Sequence, residues 1–274
     1  MRKKPRFWGL HAEPSNGLRR WLGVLPFVLL VAIYLIGSHV RLSDNPDDKI
    51  LPSLVQMAST LDRLAFSADP RTGDYVMFND TIASLRRLLI GVGAAALVGL
   101  FLGLNMGLYR GARGVLLPMT TFISIVPPLA ILPMLFIVFG VDELAKVMLI
   151  FIGTFPLITR DIYYYVAAIP HEQITKALTL GASQPQVVYR VVLPQVMPRL
   201  INTIRLSLGG GWLFLIAAEA IASTDGLGYR IFLVRRYLAM DVIIPYVLWV
   251  TFLGFSVDWL LQNFMRWRYR WYQG

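Results

Sequence analysis

Six long apolar runs dominate the chain, at residues 21–38, 82–108, 116–140, 147–165, 200–222 and 242–265, with polar stretches of unequal length between them. A helix needs roughly 20 predominantly apolar residues to cross about 30 Å of hydrocarbon. The pattern therefore predicts an all-α polytopic membrane protein with six transmembrane helices. The first run is read as a retained helix, because IGSHVRLSDN at its end makes a poor small-residue cleavage site. Residues 39–80 are polar, with turn chemistry at 44–48 and 69–74. Between those turns Pro52 opens a segment with Leu54, Ala58, Leu61 and Ala65 at helical spacing, which predicts a short helix lying on the membrane surface.

The second polar interruption, residues 169–198, predicts two short helices joined by a sharp corner. Pro170 suits a first helical turn, and Glu172 precedes Lys176 by four residues, the favourable order for a helix pair. Ile174, Ala177, Leu178 and Gly181 fall on one face. Gly181 can take the left-handed conformation that ends a helix, and Ser183 with Gln186 fits a capping box that starts the next. Val187, Val188, Val191 and Val192 form the apolar side of the second helix, and Pro194 is expected to stop it. An apolar stripe on a helix pair outside the membrane is a surface to be gripped.

Within the spans, Gly91, Ala95, Gly99, Gly103 and Gly107 recur every four residues, which lets another helix approach closely. The third run holds Pro127, Pro128 and Pro133. Each removes a helix donor, so the carbonyls of Ile123, Ser124 and Leu129 lose their partners. Broken helices survive in hydrocarbon where they face protein or a watered cavity. Ser124, Pro127, Pro128 and Pro133 thus mark either a pathway-lining element or a simple kink that Ser124 repairs. Glu219, near the outer end of the fifth span, is open to two readings. It binds a cationic solute or a gating arginine in a pathway, or it sits at the outer interface against Arg230. Asp258 is expected to be structural, facing Arg205.

Composition narrows the class. Hydrophobic residues make up 56% of the 274 and charged ones 15%, a membrane balance. With no cysteine, disulfide frameworks, thiolate nucleophiles and cysteine metal sites are excluded. His11, His39 and His171 are not at ligand spacing. The net charge of +10 does not imply nucleic acid, because in a polytopic protein basic residues set orientation and meet anionic headgroups. Six spans place both termini, the Arg110 turn and residues 169–198 on one side, with 16 of the 26 Lys and Arg. That bias makes the side cytoplasmic.

The stretch from Thr175 to Pro194 resembles the EAA signature of ABC importer permeases: E-A-A, three residues, G, nine residues, I, one residue, L-P. Ala177 holds the last alanine, Gly181 the glycine, Val191 the isoleucine, and Leu193 with Pro194 the closing pair. Thr175 and Lys176 replace the first two positions, and Glu172 one turn earlier is a substitute for the missing acid. SIVPPLAILPMLFIVFG, followed by Glu143 and Lys146, and LIAAEAIASTDGLGY are similar to the nitrate, sulfonate and taurine branch. LPSLVQM, VRRYLAMDVIIPYVLW and RWRYRWY resemble permeases associated with urea carboxylase operons, which implies a guanidine- or urea-like cargo as the alternative.

The resemblance implies a type I ABC importer permease in the bacterial inner membrane, with cytoplasmic tails at 1–20 and 266–274. The permease domain at 21–265 then includes a periplasmic segment, 39–80, and a cytoplasmic coupling segment, 169–198. Glu172, Ile174, Ala177, Leu178, Gly181 and Ala182 would dock in a separate ATPase. The chain has no G-x-x-x-x-G-K-[ST], so ATP and Mg belong to two ATPase subunits and this chain holds no cofactor. The other implied partners are a second permease subunit, forming a homodimer, a periplasmic or lipid-anchored solute-binding protein, and membrane lipids. Arg230, Arg235 and Arg236 on the outer side would meet either acidic residues of that binding protein or lipid headgroups. Two rivals have weaker support. A membrane-embedded enzyme needs convergent His, Asp, Glu or Lys within the spans, where only Glu219 and Asp258 stand clearly. A passive channel needs no polar helix pair for a motor.

Overall fold

Backbone groups in hydrocarbon must bond to one another, which favours helices, and the described residues are helical nearly throughout. The computed structural model describes residues 15–45, 48–68 and 73–272. Most of the N-terminal tail, with Pro5, His11 and Pro14, lies outside these residues, as do 46–47 and 69–72 of the two turns and the last two residues. In chain order the helices are α1 Asn16–Asp44, α2 Leu54–Ala65, α3 Val76–Leu108, α4 Arg110–Ile125, α5 Leu132–Phe139, α6 Glu143–Ala167, α7 His171–Thr179, α8 Gln184–Val187, α9 Leu193–Ile221, α10 Leu227–Arg235 and α11 Met240–Arg268. A 3-10 turn, Pro128–Ile131, leads into α5, and a π segment, Val188–Val192, joins α8 to α9.

Among the described residues, α1, α3, the joined α8–α9 rod and α11 are long and apolar enough to cross a membrane, and α4 with the bent α5 segment is long and apolar enough as a pair, as a broken span or a re-entrant loop. The sixth long helix is α6. Its 25 residues reach about 38 Å at 1.5 Å per residue, enough for the hydrocarbon core. It is less apolar because its polar side chains, including buried Lys146, Thr154 and Thr159, face protein rather than lipid.

Helix α6 packs most extensively on α3 and then on α9. The four-residue glycine repeat carries the α3 contact: a Cβ at Gly99 would lie 2.8 Å from Ile158, and one at Gly103 2.7 Å from Ile162. Ala95, on the same stripe, is fully buried. Helix α1 stands apart, with only Ser38 buried. It is tied down towards its C-terminal end, where Ser38 donates to the Leu51 and Pro52 carbonyls and Tyr34 donates to Pro52 at 2.7 Å. Helix α2 begins at a Ser53–Gln56 capping box just after Pro52, and Thr60 on it donates to Asp241 of α11 at 2.8 Å.

Pro194 does not stop a helix, contrary to expectation. The chain from Gln184 to Ile221 is one 38-residue rod passing through Pro194 and Pro198. The π segment just before Pro194 accounts for this. A proline has no N–H for the carbonyl four residues back and crowds it, and i+5 bonding moves that carbonyl aside. The fifth span therefore begins well before residue 200.

Candidate functional site

Helix α7 starts directly after Pro170, which occupies the cap position rather than the first turn. Its end is a Schellman motif. Gly181 has φ +88°, its N–H donates to the Leu178 carbonyl at 2.9 Å, and the Ala182 N–H donates to the Ala177 carbonyl at 3.1 Å. Ser183 N–H then donates to Gln186 Oε1 at 2.8 Å and opens α8. A corner of this kind follows from local chemistry alone.

The faces of α7 divide differently from the expected apolar stripe. Ile174, Ala177 and Ala182 turn inward onto the cluster formed by Ile169, Val187, Val192 and residues of α3 and α6. Ile174 thus anchors the hairpin to its own bundle, because the nearest large apolar surface is the bundle itself. The outward side carries Glu172, Thr175, Lys176, Thr179 and Leu180 around a shallow hollow. Leu178 is exposed and Leu180 is 88% exposed. Leu180 and Thr175 were not among the expected contacts. The available signal was Leu180's position beside the Gly181 corner, off the face that Ile174 occupies.

The third run is a true break: α4 and the segment through α5 meet at 83°. Pro127 caps the 3-10 turn and Pro128 begins it, while Pro133 sits in the first turn of α5, where its missing N–H costs nothing. A cavity of about 420 Å³ opens between the break and α6, with Ser124, Pro128, Gly153, Pro156, Arg160 and Asp161 among its walls. Pro127 and Pro133 are not among them. Ser124 donates to the Thr121 carbonyl at 2.7 Å and accepts from Arg160 Nη1 at 3.2 Å. Asp161 accepts from Arg199 and from Thr203.

Glu219 lies elsewhere, and its partner is an arginine other than Arg230. It is 0% exposed. It accepts from Ser84 at 2.8 Å, from Gly228 N–H at 2.8 Å and from Arg87 Nη1 at 2.7 Å. Arg87 also donates to Glu143 at 2.7 and 2.6 Å, to the Asp225 carbonyl at 3.1 Å and to the Asp225 carboxylate. Lys146 completes the knot by donating to Glu143 at 2.9 Å. The cluster ties α3, the start of α6, the end of α9 and the loop before α10 together, and none of its residues lines the break cavity. The Arg86-Arg87 pair inside an apolar run was the signal for it.

Arg230 does not meet Glu219. It donates to Asp80 at 2.9 Å, beside Tyr246, which donates to the same carboxylate at 3.0 Å. Its partner carboxylate is 1% exposed, so Arg230 is engaged inside its own subunit. Arg235 and Arg236 are exposed, Arg235 lying 5.2 Å over the Phe232 ring. Arg205 pairs with Asp258 at 2.8 and 2.9 Å, as expected.

The family model for the binding-protein-dependent transport system inner membrane component matches residues 95–268, from within α3 to the end of α11. The chain belongs to this permease family. The taurine transport system permease protein TauC of Escherichia coli is 35% identical over 70% of this chain and 70% of its own length. The bicarbonate transport system permease protein CmpB of Synechococcus elongatus is 30% identical over 95% and 94%. The putative aliphatic sulfonates transport permease protein SsuC of Bacillus subtilis is 26% identical over 93% and 91%. Among solved structures, an inward-facing conformation of the MetNI methionine ABC transporter superposes with a TM-score of 0.59 at 18% identity, covering 69% of this chain and 94% of that one. The fold is thus that of a type I ABC importer permease. The chain is the inner-membrane permease subunit of an ABC importer; it works with ATPase and binding-protein subunits and is not itself an enzyme.

Proposed function

We propose that this permease pairs with a second copy of itself and engages two ATPase subunits through the outer face of α7 and the Gly181 corner. It receives a small polar solute of the nitrate, sulfonate or taurine type from a periplasmic or lipid-anchored binding protein and passes it to the cytoplasm. The observation that carries this reading is the α7–α8 hairpin, braced inward by Ile174 and Ala177 while its other face stays uncovered. ATP and Mg bind the ATPase subunits. Their closure moves α7, and the permease halves rock to open the break cavity outward. Both termini face the cytoplasm, with tails at 1–20 and 266–274, and residues 39–80 lie in the periplasm. Arg235 and Arg236 meet the binding protein there.

The printed names of relatives, for taurine, bicarbonate and aliphatic sulfonates, support the cargo class. A guanidine-like cation fits less well, since Arg160 stands in the cavity wall and the wall's carboxylate, Asp161, is already taken by Arg199 and Thr203. The test is uptake into proteoliposomes holding the permease, its ATPase and its binding protein. Uptake should require both ATP and the binding protein. Uptake without ATP would make the protein a passive channel.

A further inference from the structure

We propose that Arg160, held by Ser124, recognises the negatively charged group of the solute inside the cavity at the helix break. The inference rests on the permease reading above and adds a residue and a charge to it. Five other cations within the bundle each face a carboxylate: Arg87 with Glu219, Lys146 with Glu143, Arg199 with Asp161, Arg205 with Asp258 and Arg230 with Asp80. Arg160 faces none among the described residues. Its one side-chain hydrogen bond is to the Ser124 hydroxyl at 3.2 Å. The adjacent carboxylate, Asp161, is already taken by Arg199 and Thr203.

Arg160 is about 10 Å short of the C-terminal end of α6, a 25-residue helix long enough for the hydrocarbon core. An ionised side chain inside a bilayer is costly, and its place is in a cavity with a counter-charge. Here the cavity is present, and the carboxylate in its wall, Asp161, is held by Arg199 and Thr203 rather than by Arg160. Apolar residues such as Ile152, Pro156 and Leu157 make up much of the remaining wall, so an anion entering it meets Arg160 as the strong donor. A guanidinium presents its N–H groups in a planar fork that matches sulfonate, carboxylate or carbonate oxygens.

Ser124 acts as a positioning residue. Its hydrogen goes to the Thr121 carbonyl, so its oxygen is free to accept from Arg160 Nη1. Because α4 ends at Ile125, just past Ser124, the break itself sets that hydroxyl at the cavity mouth. The same arrangement repels a cationic solute.

The test uses the full complex of permease, ATPase and binding protein in proteoliposomes, with taurine, methanesulfonate, bicarbonate and guanidinium as probes. The wild type should carry at least one of the first three and not guanidinium. Arg160→Gln should lower uptake of the accepted solute about tenfold or more, while basal ATP hydrolysis and binding-protein docking stay at wild-type levels. Arg160→Lys should recover most of the loss with a raised KM, and Ser124→Ala should raise KM by a smaller factor. Wild-type kinetics in Arg160→Gln would overturn the site. So would equal loss of basal ATP hydrolysis in Arg160→Gln and Arg160→Lys, which marks a structural arginine. A complex that assembles and hydrolyses ATP but carries only guanidinium, or none of the probes, also overturns it and leaves the permease reading standing. A permease that binds no ATPase overturns both.

Discussion

Replacing Glu219 separates a structural carboxylate from a pathway one. In Glu219→Ala the Ser84 hydroxyl, the Gly228 N–H and one Arg87 donor lose their acceptor in a fully buried place. Removing one member of a buried ion pair costs about 3–5 kcal/mol. Arg87 retains Glu143 and Asp225, both about half exposed, so its charge is not abandoned. The low end, about 3 kcal/mol, is therefore expected for Glu219→Ala. Glu219→Gln keeps the volume and one acceptor, for a loss of about 1–2 kcal/mol. Thermal unfolding of the purified permease should register a fall on the order of 5–10 °C for Glu219→Ala and a smaller one for Glu219→Gln. ATP-driven uptake per folded molecule should match wild type in Glu219→Gln. A Glu219→Gln protein with wild-type thermal stability and no uptake would refute this reasoning and return Glu219 to the pathway.

Other outcomes follow from the same structure. Gly103→Ala places a Cβ 2.7 Å from Ile162 and 2.9 Å from the Thr159 carbonyl, so unfolding measurements should show a loss of about 1–3 kcal/mol. Gly93→Ala on the same helix meets nothing within 4 Å and should be neutral or gain up to about 1 kcal/mol of helix propensity; equal losses at both sites would contradict the α3–α6 packing. Gly181→Ala, at φ +88°, should carry a local strain of about 1–2 kcal/mol, seen as reduced ATPase stimulation with little change in melting temperature. Charge reversal at Arg235 and Arg236 should weaken binding-protein docking in a salt-dependent way. Arg230→Gln should instead lower thermal stability, because it leaves Asp80 short of its cation.

Features set by neighbours in sequence were legible. The glycine repeat of α3 names its own packing face, and the Gly181 corner with the Ser183–Gln186 bond needs only residues within one turn. Features set by the tertiary fold were not. Glu219 lies 132 positions from Arg87, and proximity in sequence favoured Arg230 instead. The apolar stripe of α7 was visible, but periodicity does not say whether a stripe faces a partner or its own bundle. Ile174 took the second course and left Leu180 outside. At Pro194 the local rule predicted a stop, and the π segment before it overrode that rule. Arg160 lies near the end of the fourth apolar run in sequence, beside Asp161 and three tyrosines, and nothing local marks it out. What distinguishes it is a place in the wall of the break cavity without a carboxylate of its own, and that can be seen only in the tertiary fold.

In the proposed assembly an ATPase covers the outer face of α7. The chain contains no cysteine, so Leu180→Cys provides a single thiol at a site that is 88% exposed in the subunit alone. Maleimide labelling of that thiol should be rapid in the isolated permease and strongly suppressed in the assembled transporter, where a short bifunctional reagent should join permease to ATPase. Equal labelling in both, with no cross-linked product, would contradict the account.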